Sequence, residues 1–172
     1  MNRTRRVFIA TGIVGAAVLA TAGWLRPRDL PAASGHALDG NAMTIVAAMV
    51  PVFLAGALPV DAGSRADAIR ATVADVDAAV AGLPPSMQAE LAQLFTLLGI
   101  APARWLLAGV ATEWSTAAPA EVASAIERWR ASRIVLLRSA YDALHQLILG
   151  AWYGNPRAWD AIGYPGPPNL LQ

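Results

Sequence analysis

Along most of this chain the apolar residues return every three or four positions and nowhere alternate with polar ones, a period that a helix can bury on one face and a strand cannot. Ile69, Val73, Val76 and Val80 make one such stripe, and Met87, Leu91, Leu94 and Leu98 make another. Alanine, the strongest helix former, fills 38 positions and reinforces that choice. No Asn-Gly or comparable hairpin signal separates two apolar runs. The expected fold class is all-α: a compact bundle of about five or six helices, with an N-terminal signal helix before it and a Pro/Gly-rich aromatic arm after it.

Turn residues divide the pattern. Asn41 is placed to cap the almost uncharged segment AMTIVAAMVPVFLAGAL, and Pro51 should kink or end that helix because it lacks a backbone donor. Ser64 with Asp67 resembles a capping box for the next helix, which Gly82 and LPP stop. PSMQAELAQLFTLLGI and PARWLLAGVATEW read as two further helices. Pro119 suits a first helical turn, and no Gly or Pro then intervenes before Gly150. Two rows share that stretch: Ile126, Trp129, Arg133, Leu136 and Ala140, and Ile134, Leu137, Tyr141, Leu144 and Ile148. They predict one long helix, bent near Ser132. Asn155 and Pro156 then start a short helix, PRAWDAI, with Gly163 just past its end.

The N-terminus has a different character. Arg3, Arg5 and Arg6 precede Val7–Leu25, 19 residues without a charge, and Ala20-Thr21-Ala22 offers a small-x-small cleavage site. TRRVFIA, Thr4 to Ala10, resembles the twin-arginine (Tat) export signal through Arg5, Arg6 and Phe8; the Lys that often follows in that pattern is Ala10 here. An uncleaved anchor is the alternative, since 19 helical residues approach the thickness of a bilayer core. The expected organisation is a signal over residues 1–22, a linker over 23–40, a helical bundle over 41–154, and a short helix with the C-terminal arm over 155–172. The expected localisation is the periplasm.

Composition narrows the chemistry. A cut after Ala22 leaves 10 Arg against 12 Asp and Glu, so the remainder is mildly acidic and carries no basic footprint for nucleic acid. The absence of cysteine excludes disulfides, covalently attached haem and Cys-ligated clusters. His36 and His145 are the only histidines, too few for a His-rich metal site. Ser139, Asp142 and His145 recur at intervals of three. Asp lies between the other two, whereas a triad needs His bonded to Ser with Asp behind it. His145 beside Leu144 and Ile148 reads first as a packed side chain, and a role at a partner's site is the other option. Glu113 and Glu121 form no matched acid/base pair. The expected catalytic, cofactor and metal residues in this chain are none.

Two stretches look suited to contact instead. ERWRASR, Glu127 to Arg133, is locally basic; it is either a solvated helix face or a docking patch in which Trp129, Arg130 and Arg133 are the contact residues. The arm carries Trp159, Tyr164, Pro165 and Pro167. Proline limits the entropy lost on docking, so the arm is either a pre-shaped anchor for a partner or a cover for an apolar gap in its own bundle.

RWRASRIVLLRSAYDALHQLILGAWYGNPRAWDAIGYPGPP, residues 128–168, resembles the small accessory subunits of bacterial periplasmic flavin dehydrogenases, of the gluconate 2-dehydrogenase subunit 3 type. The features that carry the resemblance are the long helix, AWYGNPRAW and IGYPGPP; AAMVPVFLAG, Ala47 to Gly56, is more weakly similar to an early helix of that family. The resemblance implies a noncatalytic subunit that escorts a GMC-type flavoprotein large subunit through the Tat translocase and stabilises it. FAD would sit in that partner, and a cytochrome c subunit often completes such complexes. Membrane association would come through the N-terminal segment or the complex. The alternative function is a free-standing exported helical protein that binds a small apolar ligand or the membrane surface.

Overall fold

The computed structural model describes residues 36–159 and 162–166. Among these the chain is all-α. Its helices are α1 (Gly40–Phe53), α2 (Ala62–Ala81), α3 (Pro85–Gly99), α4 (Ala101–Ala108), α5 (Pro119–Arg130) and α6 (Val135–Tyr153), followed by a 3-10 turn, Pro156–Ala158. Among the described residues no single helix is long and apolar enough to cross a membrane.

α1 is the central element because it is apolar on every side, and such a helix has no face to give to water. Ile45, Val46, Met49 and Val50 are fully buried, and α2, α3, α5 and α6 all pack against α1. Its cap is Asp39, whose carboxylate accepts the Ala42 N–H at 2.7 Å, and not Asn41. The Asn41 side chain reaches across to α3 instead and donates to the Phe95 carbonyl at 3.0 Å. Pro51 ends the helix rather than kinking it: α1 stops two residues later, and Gly56 turns the chain at φ +85°.

α2 likewise starts earlier than the Ser64/Asp67 pairing predicts. Asp61 is the cap and accepts the Ser64 N–H at 2.8 Å, while Asp67 turns to Arg70. Leu38, inside the stretch expected to be linker, is buried and belongs to the core. α3 and α4 meet at Ile100 with a bend of 99°. α4 ends at Gly109, held at φ +60°.

The expected long helix is two. Its predicted bend point is a break: Ala131 and Ser132 close off α5 by donating to Glu127 and Trp129 carbonyls, and the Ser132 hydroxyl then accepts the Ile134 N–H at 3.1 Å. A serine that bonds its own backbone competes with the helix ladder. Arg138 returns from α6 to the Ser132 carbonyl at 2.6 Å. α5 and α6 pack on each other as a helical hairpin, which splits the first apolar row. Ile126, Trp129 and Ala140 are buried, and Arg133 and Leu136 are exposed.

The short C-terminal helix begins as a 3-10 turn, with Asn155 capping it through the Arg157 N–H as expected, while Asp160 and Ala161 lie outside the described residues. Gly163 has the positive φ predicted for it, +67°.

Candidate functional site

The predicted contact residues do not gather at one place. Trp129 is 1% exposed, and its indole donates to the Leu107 carbonyl at 2.7 Å. It is a core anchor that ties α5 to α4, so its side chain is not open to a partner as expected. Arg130 lies on the surface and grips Glu127 through two bonds of 2.9 and 2.7 Å. That hydrogen-bonded pairing holds the Glu127 carboxyl below its usual range and raises Arg130. Arg133 is exposed and has no side-chain partner among the described residues.

The arm closes on itself. The Trp159 indole donates to the Tyr153 carbonyl at 2.9 Å, and the Tyr164 ring meets it edge-on with centroids 5.2 Å apart. The Tyr164 N–H returns to the Trp159 carbonyl, and Gly166 lies so near the indole that a Cβ there would come within 3.0 Å of it. Tyr164 stays 43% exposed and Pro165 is also on the surface. Pro167, Arg5, Arg6 and Phe8 lie outside the described residues.

Of the polar residues weighed for catalysis, Glu121 and His145 make structural contacts. Glu121 accepts the Ala111 N–H at 2.7 Å and the Thr112 hydroxyl at 3.1 Å, which fastens the loop before α5. His145 stacks on Tyr141, centroids 5.4 Å apart, and meets Phe53 edge-on at 5.6 Å. Ser139 and Asp142 are exposed, about two turns and one turn of helix before it. Among the described residues no group of three or more His, Asp or Glu is placed to hold a metal ion.

Two apolar features stand at the surface in their place. α3 and α6 flank a groove of about 480 Å³, lined chiefly by Met87, Leu91, Leu94, Leu136, Ala143 and Leu147, with Glu90, Ser139 and Gln146 as its polar edge. At the α5–α6 corner Ile134, Val135 and Leu136 are 60%, 66% and 61% exposed, and Leu136 joins the corner to the groove. Helical periodicity assigned Ile134 and Leu136 to apolar rows of one helix and left Val135 in neither. The signal that could have exposed them is the run IVLL between Arg133 and Arg138. Four successive apolar residues span every side of a helix, so some of them must face water.

No family model, curated protein or solved structure matches this chain.

Proposed function

We propose that this protein is a noncatalytic accessory subunit, exported by the Tat pathway, that escorts and stabilises a periplasmic GMC-type flavin dehydrogenase. The observation that carries the proposal is the apolar groove between α3 and α6 around Met87, Leu91, Leu94 and Leu147. Such a surface supplies binding energy, at about 25 cal/mol for each Å² of apolar area covered. Exposed contiguous apolar surface on a single domain is a mark of an interaction site. The twin-arginine-like TRRVFIA and the resemblance of residues 128–168 to the small subunits supply the direction: a folded flavoprotein bound in the cytoplasm would share the export address carried here. FAD would be held by that partner.

Affinity capture of the tagged protein from its native periplasm and membranes tests this reading. The expected result is a stoichiometric partner with flavin absorbance. A colourless monomer overturns it.

One observation favours a second reading, a free-standing carrier. The groove's volume, about 480 Å³, falls in the range of small-ligand sites, which are mostly apolar with a few polar groups. Native mass spectrometry of the purified protein would then find an amphiphile bound, and Leu91→Gln and Leu147→Gln would release it.

A further inference from the structure

We propose that the α5–α6 corner docks on the surface of an anionic lipid bilayer, with Ile134, Val135 and Leu136 entering the interface and the surrounding arginines on the headgroups. This goes beyond the escort reading and does not depend on it.

The corner is the tip of a helical hairpin, where a single domain ordinarily places polar turn residues. Here three successive large apolar side chains are more than half exposed. Ile134 is also the N-cap of α6 and supplies no side-chain bond to the helix, although Ser, Thr, Asp or Asn at that position would stabilise it.

Charge chooses the occupant. Residues 127–138 carry four arginines and one glutamate, in a chain whose formal net charge is only +1. Glu127 pairs with Arg130, Arg133 is exposed, and the exposed Arg138 binds the Ser132 carbonyl and, among the described residues, no acid. Lipid phosphates complement such a local excess of arginine, and guanidinium binds them in a bidentate fork. An apolar face edged by arginine is the pattern of elements that lie in a membrane interface.

α4 widens the same end of the molecule. The Trp129–Leu107 hydrogen bond and the bond from Arg128 to the Ala108 carbonyl hold the end of α4 against the last turn of α5, next to the corner. On α4, Trp105 is 64% exposed and Leu106 56% exposed. Tryptophan is the residue most at home at headgroup depth, with its ring in the apolar boundary and its N–H in water.

The chain has no cysteine, so a single introduced thiol reports one position even in the full-length protein, whatever its N-terminal segment does. Val135→Cys carries an environment-sensitive nitrobenzoxadiazole label, and Ala66→Cys on α2 is the control. Both are mixed with vesicles of phosphatidylcholine alone and of phosphatidylcholine with phosphatidylglycerol. The expected result is a blue shift at position 135 on the anionic vesicles only, reversed by salt, with position 66 silent. Arg133→Gln in the labelled chain should weaken binding about fivefold. Ile134→Ser should reduce the shift while keeping or raising the melting temperature, which separates lost docking from lost folding. A silent position 135 on anionic vesicles overturns the proposal, as does an equal response to neutral ones. A label shielded only when a captured protein partner is added overturns it too, and assigns the corner to that partner.

Discussion

Leu38 donates its backbone N–H to Asp77 Oδ1 at 2.7 Å, joining the segment that enters the bundle to the C-terminal part of α2 across 39 residues of chain. His36 completes the contact, its Nδ1 lying 2.8 Å from Oδ2. Asp77 is 8% exposed, and a carboxylate so placed holds its charge only if donors replace water. Burial pushes its pKa up, and the bonds from Leu38 and His36 together outweigh that, leaving the group below its usual value.

A depressed folded-state pKa fixes the sign of a pH effect. Between the folded and unfolded values the unfolded chain binds more protons, so this contribution is fully present above the unfolded value, near pH 4, and is lost as pH falls through the folded one. Asp77→Ala, which leaves the Leu38 N–H buried without a partner, should cost about 2 kcal/mol at pH 7. Asp77→Asn keeps an acceptor for Leu38, so it should cost less and flatten the acid limb of the stability curve. Chemical denaturation between pH 2.5 and 7 measures both. A wild-type limb that Asp77→Asn leaves unchanged would mean that another carboxylate governs it.

Gly109 and Arg128 form a coupled pair. At φ +60° an L side chain costs about 1 kcal/mol, and a Cβ at Gly109 would also stand 2.7 Å from the Arg128 guanidinium carbon. That guanidinium binds the Ala108 carbonyl at the end of α4. Gly109→Ala should therefore destabilise by about 2 kcal/mol, and part of that loss should vanish when Arg128→Ala is already present. A double-mutant cycle reads the difference. Strict additivity would show that backbone strain alone sets the cost.

Arg157 clamps the C-terminal turn to α2, beside a longer contact of 3.4 Å from the Asn155 amide to Asp75 Oδ2. Arg157 pairs with Asp75, approaches the Thr72 hydroxyl at 3.4 Å, and lies 5.3 Å from the centre of the Trp152 ring. Both ion-pair side chains are about one-third exposed or less, so the cluster is worth about 1 kcal/mol and is screened by salt. Arg157→Ala should remove that amount and speed hydrogen exchange in residues 155–159 more than in α1. Unaltered exchange there would mean that buried Ala158 and Trp152 hold the turn unaided.

The elements that were legible in the sequence are those in which one local signal suffices. α1 is apolar throughout, α2 and α3 carry apolar stripes, and Pro119 opens α5. The caps were misplaced by two or three residues because Asp39 and Asn41 are both competent, as are Asp61 and Ser64. Which one caps depends on where packing lets the helix begin: Asn41 is drawn off by the Phe95 carbonyl. The break at Ala131–Ile134 was read only as a bend, since no Gly or Pro marks it. It follows from the Ser132 hydroxyl and from the burial of Trp129 against Leu107, 22 residues away. The exposed corner depends on that break, so periodicity assigned Leu136 to a buried row. In the arm the aromatic residues were visible, but their mutual packing was not, because it depends on the turn at Gly163.

That packing lets the two aromatic residues of the arm be tested separately. Trp159 is half-buried and holds the fold of the arm through Tyr153, Tyr164 and the close approach of Gly166. Tyr164 lends an edge to that ring and keeps 43% of its own surface open. Tyr164→Ala should lower stability by about 1 kcal/mol or less, the worth of an exposed aromatic pair. If the arm grips a flavoprotein, the same change should weaken its capture about tenfold or more, as hot-spot aromatics do. Trp159→Ala should do both, since it removes the support along with the contact. Melting curves and quantitative capture, run side by side on the two variants, separate the roles. Undiminished capture by Tyr164→Ala would show that the arm packs for its own bundle and that the partner binds elsewhere.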